Sequence, residues 1–164
     1  MPTVPSDSPE LAARRAAVEL RDDLLNAGWP SAAALAPLFS RSVEGAQRLL
    51  TDLRASGKVF AVWSQPDETF LFPPFQFDDS GVRPEVEPLL TALGAIPGLA
   101  PTLDRGGWAR AFWLYGCTER LSDAALGLGA SLEARAASDV FPIRPDAVID
   151  IARQEATDDP NQAW

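Results

Sequence analysis

The chain has 164 residues, with 23 acidic side chains against 14 basic ones, a net charge of −9 and no histidine. That balance argues against general affinity for nucleic acid, which rests on phosphate neutralisation, and it removes the commonest general base and metal ligand. Hydrophobic residues at 46% and charged residues at 23% suit a globular fold rather than a disordered chain.

The apolar runs are short and broken by charges, and no basic-then-apolar leader follows Met1, so the expectation is a cytoplasmic protein with no membrane anchor. A single cysteine, Cys117, excludes an internal disulfide and fits a reducing compartment. The strong excess of arginine over the single lysine points to a GC-rich bacterial gene.

Residues 1–8 read as a flexible, polar N-terminus. From Pro9 to Ala27, Leu11, Val18, Leu20, Leu24 and Leu25 recur near helical spacing, and Gly28 is placed to stop the helix. Pro30 and Ser31 open a short second helix running to Leu38 and Phe39. Ser40 and Ser42 offer caps for a third, with Glu44 in its first turn and Gly57 at its end. Val43, Ala46, Leu49, Leu50 and Leu53 form its inward stripe, which leaves Arg41, Glu44, Gln47, Arg48, Thr51 and Arg54 outward.

The period then changes. Lys58–Ser64 reads as a strand, Gln65–Glu68 as a turn and Thr69–Phe72 as the returning strand, followed by an aromatic extended segment Phe75–Asp78 and a turn at Asp79–Gly81. Helix, short helix, helix and hairpin is the order of a winged helix-turn-helix. The back half begins near Val82, with a helix over Pro84–Leu93 and a Pro/Gly connector from Ile96 to Leu103. Asp104 can cap a helix holding Trp108, Phe112, Trp113, Leu114 and Tyr115, apolar nearly all round and therefore expected to be buried. Helical turns are expected around Ser122–Leu128 and Ser131–Ala137, and Pro145 opens a last helix with Val148, Ile149, Ile151 and Ala152.

The predicted fold is therefore mainly α: a helix-turn-helix domain with a small β-hairpin wing over 9–81, a small helical domain over 82–155, and a flexible tail over 156–164. No internal repeat is visible.

Little here suggests catalysis. Cys117 has no histidine to activate it, and Gly127 and Gly129 lack the context of a phosphate cradle. The acidic pairs Asp22–Asp23, Asp78–Asp79 and Asp158–Asp159 have nothing convergent around them. No cofactor, metal site or enzymatic activity is expected.

The third helix is the best functional element. Between Ser40 and Lys58 the cations Arg41, Arg48, Arg54 and Lys58 outnumber the anions Glu44 and Asp52, four against two, giving a local +2 on an acidic body. Gln47 and Arg48 have the side-chain types that read base edges, with Arg41 and Thr51 a turn either side and Arg54 and Lys58 suited to phosphate. The competing reading is an amphipathic surface helix that binds no DNA. The aromatics Phe60, Trp63, Phe70, Phe72, Phe75 and Phe77 read as packing rather than a base-stacking platform, since no cation accompanies them between residues 59 and 82.

Several segments carry a family resemblance. Gly28–Ala36, Leu53–Trp63 and Phe72–Asp78, with Gly81 and Pro84, resemble the front half of bacterial antitoxin-like regulators. Trp113–Tyr115 with Leu121 and Ser122, Ser131–Ala134, and Pro145–Ala152 are similar to the C-terminal domain of the Xre/MbcA/ParS toxin-binding family, the two patches spanning roughly residues 28–154. The family pattern departs at Gly116-Cys117-Thr118, where members often read Pro-Asn or Pro-Arg, and at Gly129-Ala130.

The resemblance implies an antitoxin that binds a cognate protein toxin, commonly a RES-domain enzyme that consumes NAD, and represses its own promoter as a homodimer. Trp113, Tyr115, Leu132, Arg135 and Trp164 would then form the toxin-binding surface. Two alternatives stand beside it: a winged-helix regulator of transcription with no toxin partner, and an adaptor or immunity-like protein that never touches DNA.

Overall fold

The computed structural model describes residues 8–158. Three helices open the chain: α1 (Pro9–Asn26), α2 (Ala32–Leu35) and α3 (Val43–Ala55). Each begins on a serine whose hydroxyl accepts an otherwise unpaired amide: Ser8 from Leu11 at 3.4 Å, Ser31 from Ala34 at 3.3 Å and Ser42 from Gly45 at 3.1 Å. Such caps stabilise a helix by about 1 kcal/mol each. Ser8 thus belongs to α1 and not to a flexible end, and the other residues of the expected N-terminal tail lie outside the described ones. Ser40 does not cap; it sits at φ 51° in the turn before Ser42. Gly28 and Gly57 follow α1 and α3 with φ of 76° and 72°, the left-handed conformation that stops a helix.

The hairpin is β1 (Val62–Ser64) and β2 (Thr69–Leu71), antiparallel with Trp63 opposite Phe70. Ser31 bridges to Leu71 and the Phe72 amide donates to the Pro30 carbonyl at 2.9 Å, so the turn before α2 lies against the outer edge of β2. The first strand is shorter than Lys58–Ser64. Val59, Phe60 and Ala61 are buried, yet they make no ladder because a side chain takes the partner strand's place. The Gln76 amide, fully buried, accepts from the Phe60 N–H at 2.7 Å and donates to the Phe60 carbonyl at 2.7 Å and the Pro73 carbonyl at 3.0 Å. Gln76 closes a 3₁₀ turn (Pro74–Gln76), after which β3 (Phe77–Asp78) pairs with β4 (Gly81–Val82).

The back half holds α4 (Val86–Gly94), α5 (Trp108–Tyr115), α6 (Ala137–Val140) and α7 (Pro145–Thr157), with β5 (Cys117–Thr118) antiparallel to β6 (Arg135–Ala136). Pro145 opens α7, where its missing N–H costs nothing. Asp104 caps α5 from the preceding loop: its carboxylate, nearly buried, accepts from the Ala109 and Arg110 amides and from Arg110 Nε, each at 3.0 Å.

Other expectations are corrected. Ser131–Ala136 is not helical, because Arg135 and Ala136 find a β partner in Thr118 and Cys117, and only Ala137 of the expected stretch is in a helix, as the first residue of α6; Ser122–Leu128 is a series of turns. Ala156 and Thr157 belong to α7 rather than to a flexible tail. The α5 helix is half-buried: Ala111 and Leu114 are inside, while Trp108, Phe112, Trp113 and Tyr115 are partly exposed.

A small core of Leu35, Leu50, Val59, Ala61 and Phe72 belongs to the front half. The larger core ignores the 81/82 boundary, running from Leu24, Trp29, Phe60, Val62 and Phe75 into Leu89, Leu93, Leu114, Leu121, Val140, Phe141 and Val148. Aromatic rings line the seam, with Tyr115 4.9 Å from Trp29 and Phe75 5.6 Å from Phe141, centroid to centroid. The free edge of β1 is covered as well. The Trp63 amide donates to the Gly106 carbonyl at 2.9 Å, and Trp108 Nε1 donates to the Trp63 carbonyl at 3.0 Å. An edge strand paired in this way cannot recruit another chain. The aromatics around the hairpin therefore serve packing, as their strand spacing suggests.

Candidate functional site

The exposed face of α3 is continuous. Ala46 and Leu50 are fully buried, Leu49 and Leu53 partly, and Gln47, Arg48 and Thr51 point to solvent. Val43 departs from the expected inward stripe and is 44% exposed, at the start of the helix. Between this face, the start of α2 and the hairpin runs a groove of about 400 Å³ lined by Gln47, Thr51, Arg54, Trp63, Glu68 and Phe70 among others. Arg54 does not hang free. Its guanidinium lies 3.8 Å from the Phe70 ring centroid, a cation–π contact that tethers the end of α3 to β2.

Of the six residues singled out on sequence, Gln47, Thr51 and Arg54 thus share one groove. Arg48 is exposed beside them, next to Asp52. Arg41 and Lys58 are exposed at opposite ends of a helix roughly 20 Å long. Sequence reasoning missed Glu68. It sits in the left-handed region at φ 49° as the last residue of the hairpin turn and places a carboxylate at the groove wall. A turn position that needs φ > 0 normally advertises itself with Gly or Asn, and Glu hides it.

The second group is less unified. Leu132 is 74% exposed and Arg135 is tied to Asp123 at 2.8 Å; both belong to the stretch that the β5–β6 pair closes, where Leu128 is also half-exposed. Trp113 is engaged within the chain: its Nε1 donates to Glu155 at 2.6 Å, and Arg120 holds the same carboxylate at 3.0 Å and Gln154 at 2.8 Å. Tyr115 packs its ring in the seam between Trp29 and Phe75. Trp164 lies outside the described residues.

Burial pushes the Tyr115 phenol above its ordinary value of 10.0, and the neighbouring Asp139 charge adds to the shift. The unfolded chain then loses the phenolic proton at lower pH than the folded one. Above pH 10 the unfolded state binds fewer protons, so stability falls as pH rises further. Denaturant titrations from pH 8 upward should show this alkaline loss, and Tyr115→Phe should abolish its tyrosine-dependent part. Because Tyr115 is the only tyrosine, its ultraviolet titration gives an independent reading.

Among the described residues no group of three or more His, Cys, Asp or Glu is placed to hold a metal ion. No helix among them is long and apolar enough to cross a membrane. No protein-family model, no curated protein and no solved structure matches the chain.

Proposed function

We propose that the chain is a DNA-binding regulator of the antitoxin type, in which α3 is the recognition helix, the β1–β2 hairpin is a wing, and the back half engages a protein partner. The observation that carries the reading is the groove that Gln47, Thr51 and Arg54 share with the hairpin, beside an exposed Arg48. Gln and Arg at that depth can read adenine and guanine edges, and Arg41 and Lys58 stand exposed beyond the two ends of the helix, where cations can meet backbone phosphate. The three-helix order, with the Ser31–Leu71 bridge laid on the hairpin, supports a winged helix-turn-helix.

Acidity elsewhere suits a specific rather than a sticky binder. A chain of net charge −9 gains little from phosphate alone, so its affinity must rest on the few cations of α3 and its ends. Fluorescence anisotropy with duplexes from the gene's own upstream region tests this. Binding should weaken with salt, and Arg48→Ala should cost about tenfold to a hundredfold in affinity at unchanged stability. An absence of binding at low salt sinks the DNA half of the proposal.

The toxin-binding half is supported by Leu128 and Leu132, two exposed apolar side chains in the stretch between β5 and β6. Here the occupant would be a protein toxin, covered sterically. Co-expression of the neighbouring gene's product with the wild type and with Leu132→Asp separates the two halves. Loss of co-purification with intact DNA binding assigns the loop to the partner, whereas a neighbour product that is harmless alone and never co-purifies removes the toxin and leaves a plain transcription regulator.

A further inference from the structure

A polar cavity of about 310 Å³ lies where the front half meets the back half. Its walls are the C-terminal end of α3, the segment Val59–Ala61, α4, and the loop and first turn of α5. Three arginines line it, Arg54, Arg105 and Arg110, against one carboxylate, Glu87. With Asp104 counted behind Arg110 as a second anion, the local balance is still +1, in a chain of net charge −9.

Two of the three guanidiniums are held in place by the fold. Arg54 lies 3.8 Å from the Phe70 ring centroid and Arg110 lies 5.2 Å from that of Phe60. Arg110 also donates through Nε to the Asp104 carboxylate at 3.0 Å and through Nη2 to the Asp104 carbonyl at 3.1 Å, bonds that do not use Nη1. Neither Arg54 nor the exposed Arg105 has a carboxylate partner among the described residues. Fixed cations in a recess concentrate anions, and the planar guanidinium fork matches carboxylate and phosphate. The recess has an apolar side as well, where Val59, Ala61 and Leu90 are buried. Its volume falls at the small end of the range for ligand pockets, about 300–1,000 Å³.

We infer that this cavity binds a small organic acid, a carboxylate or a phosphate ester. Its charged group meets the three guanidiniums and its apolar body meets Val59, Ala61 and Leu90. Glu87 offsets one of the arginines and restricts the site to anions of low charge. Arg54 gives the site a consequence, because it lines both this cavity and the groove beside α3. An anion bound here competes with DNA phosphate for that guanidinium. The ligand therefore lowers DNA affinity, and DNA lowers ligand affinity by the same factor. This consequence rests on the proposed DNA reading; the anion site does not.

Amide NMR titrations of the full chain at fixed ionic strength test the site with three probes: inorganic phosphate, benzoate and phenyl phosphate. At least one of the two aromatic acids should give saturable shifts at Ala55–Gly57, Thr91–Gly94 and Arg105. It should do so at about fivefold or more lower concentration than inorganic phosphate, because its ring leaves water. Arg105→Gln should weaken that binding about tenfold at an unchanged urea midpoint. Arg21→Gln, the same charge change on the exposed side of α1, should leave it as it is. In the anisotropy assay the saturating acid should weaken DNA binding about fivefold or more in the wild type, and less in Arg105→Gln at the same concentration. Saturable cavity shifts in a chain that binds no DNA uphold the anion site and remove the DNA reading. DNA binding without such shifts leaves the DNA reading intact and overturns the inference. Shifts that Arg105→Gln does not weaken also overturn it, as does inorganic phosphate that binds as tightly as the aromatic acids. Unchanged DNA affinity at saturation overturns the competition through Arg54.

Discussion

Gln76→Leu lowers the stability of the chain by about 3–5 kcal/mol, a large share of the roughly 5–15 kcal/mol that holds a domain folded. The side-chain amide satisfies the N–H and the carbonyl of Phe60 and the carbonyl of Pro73, all in a dry interior. Leucine fills the space and pairs none of them. Each buried backbone group left without a partner costs about 1–3 kcal/mol, and no water can reach this position without opening the core. Gln76→Glu fails for a related reason, since a carboxylate keeps an acceptor for the Phe60 N–H but has no donor for either carbonyl. Urea titration checks it: the midpoint falls steeply at unchanged slope. Gln65→Leu, which loses only an exposed bond from Trp63 Nε1 at 3.2 Å, stays within about 0.5 kcal/mol of wild type. Equal effects at the two positions would mean that Gln76 does not stand in for a strand.

The second large effect is at Gly107. Its φ is 77°, and a Cβ there would enter the Ala61 carbonyl oxygen and come within 3.1 Å of the Phe60 ring. Gly107→Ala therefore combines left-handed strain of about 1–2 kcal/mol with a backbone clash, for a total of about 3–5 kcal/mol. Gly57→Ala is the internal comparison, because Gly57 has nearly the same φ of 72° with nothing within 4 Å. It should cost only the strain. The difference between the two variants measures how tightly the turn before α5 is pressed onto the strand of the front half. Indistinguishable midpoints would show that this contact is loose.

Both predictions concern features that no local reading of the chain reaches. Ser31, Ser42, Gly28, Gly57 and Pro145 act within one turn of their own position, and their roles are legible from residue type and spacing, whereas the cap at Ser8 reads as part of a flexible end. Lys58–Ser64 reads as a longer strand than the one formed because Val59–Ala61 have strand-like residues, yet their partner is a glutamine 16 positions along the chain. The same holds for Ser131–Ala136, whose helical composition yields to the pairing of Arg135 with Thr118. A boundary placed at residue 81 on composition cannot foresee that Phe60, Val62 and Phe75 pack into the core of the other half.

The candidate site divides in the same way. Helical period alone turns Gln47, Arg48 and Thr51 outward, and the structure agrees. It does not disclose that Phe70 holds Arg54 or that Glu68 shares the groove. In the back half, residues chosen on resemblance scatter to different settings. Tyr115 faces the seam, Trp113 is bonded to Glu155, and Leu132 stands exposed on a loop.

The most direct test of the proposed DNA-reading face is an amide NMR titration of the intact chain with a duplex from its own upstream region, repeated with an unrelated duplex. The account predicts shifts concentrated at Arg41–Lys58 and at the hairpin turn Gln65–Thr69, lost in Arg48→Ala and absent around Leu128–Arg135. Shifts that spread over the back half and spare α3, or none at low salt, would contradict it.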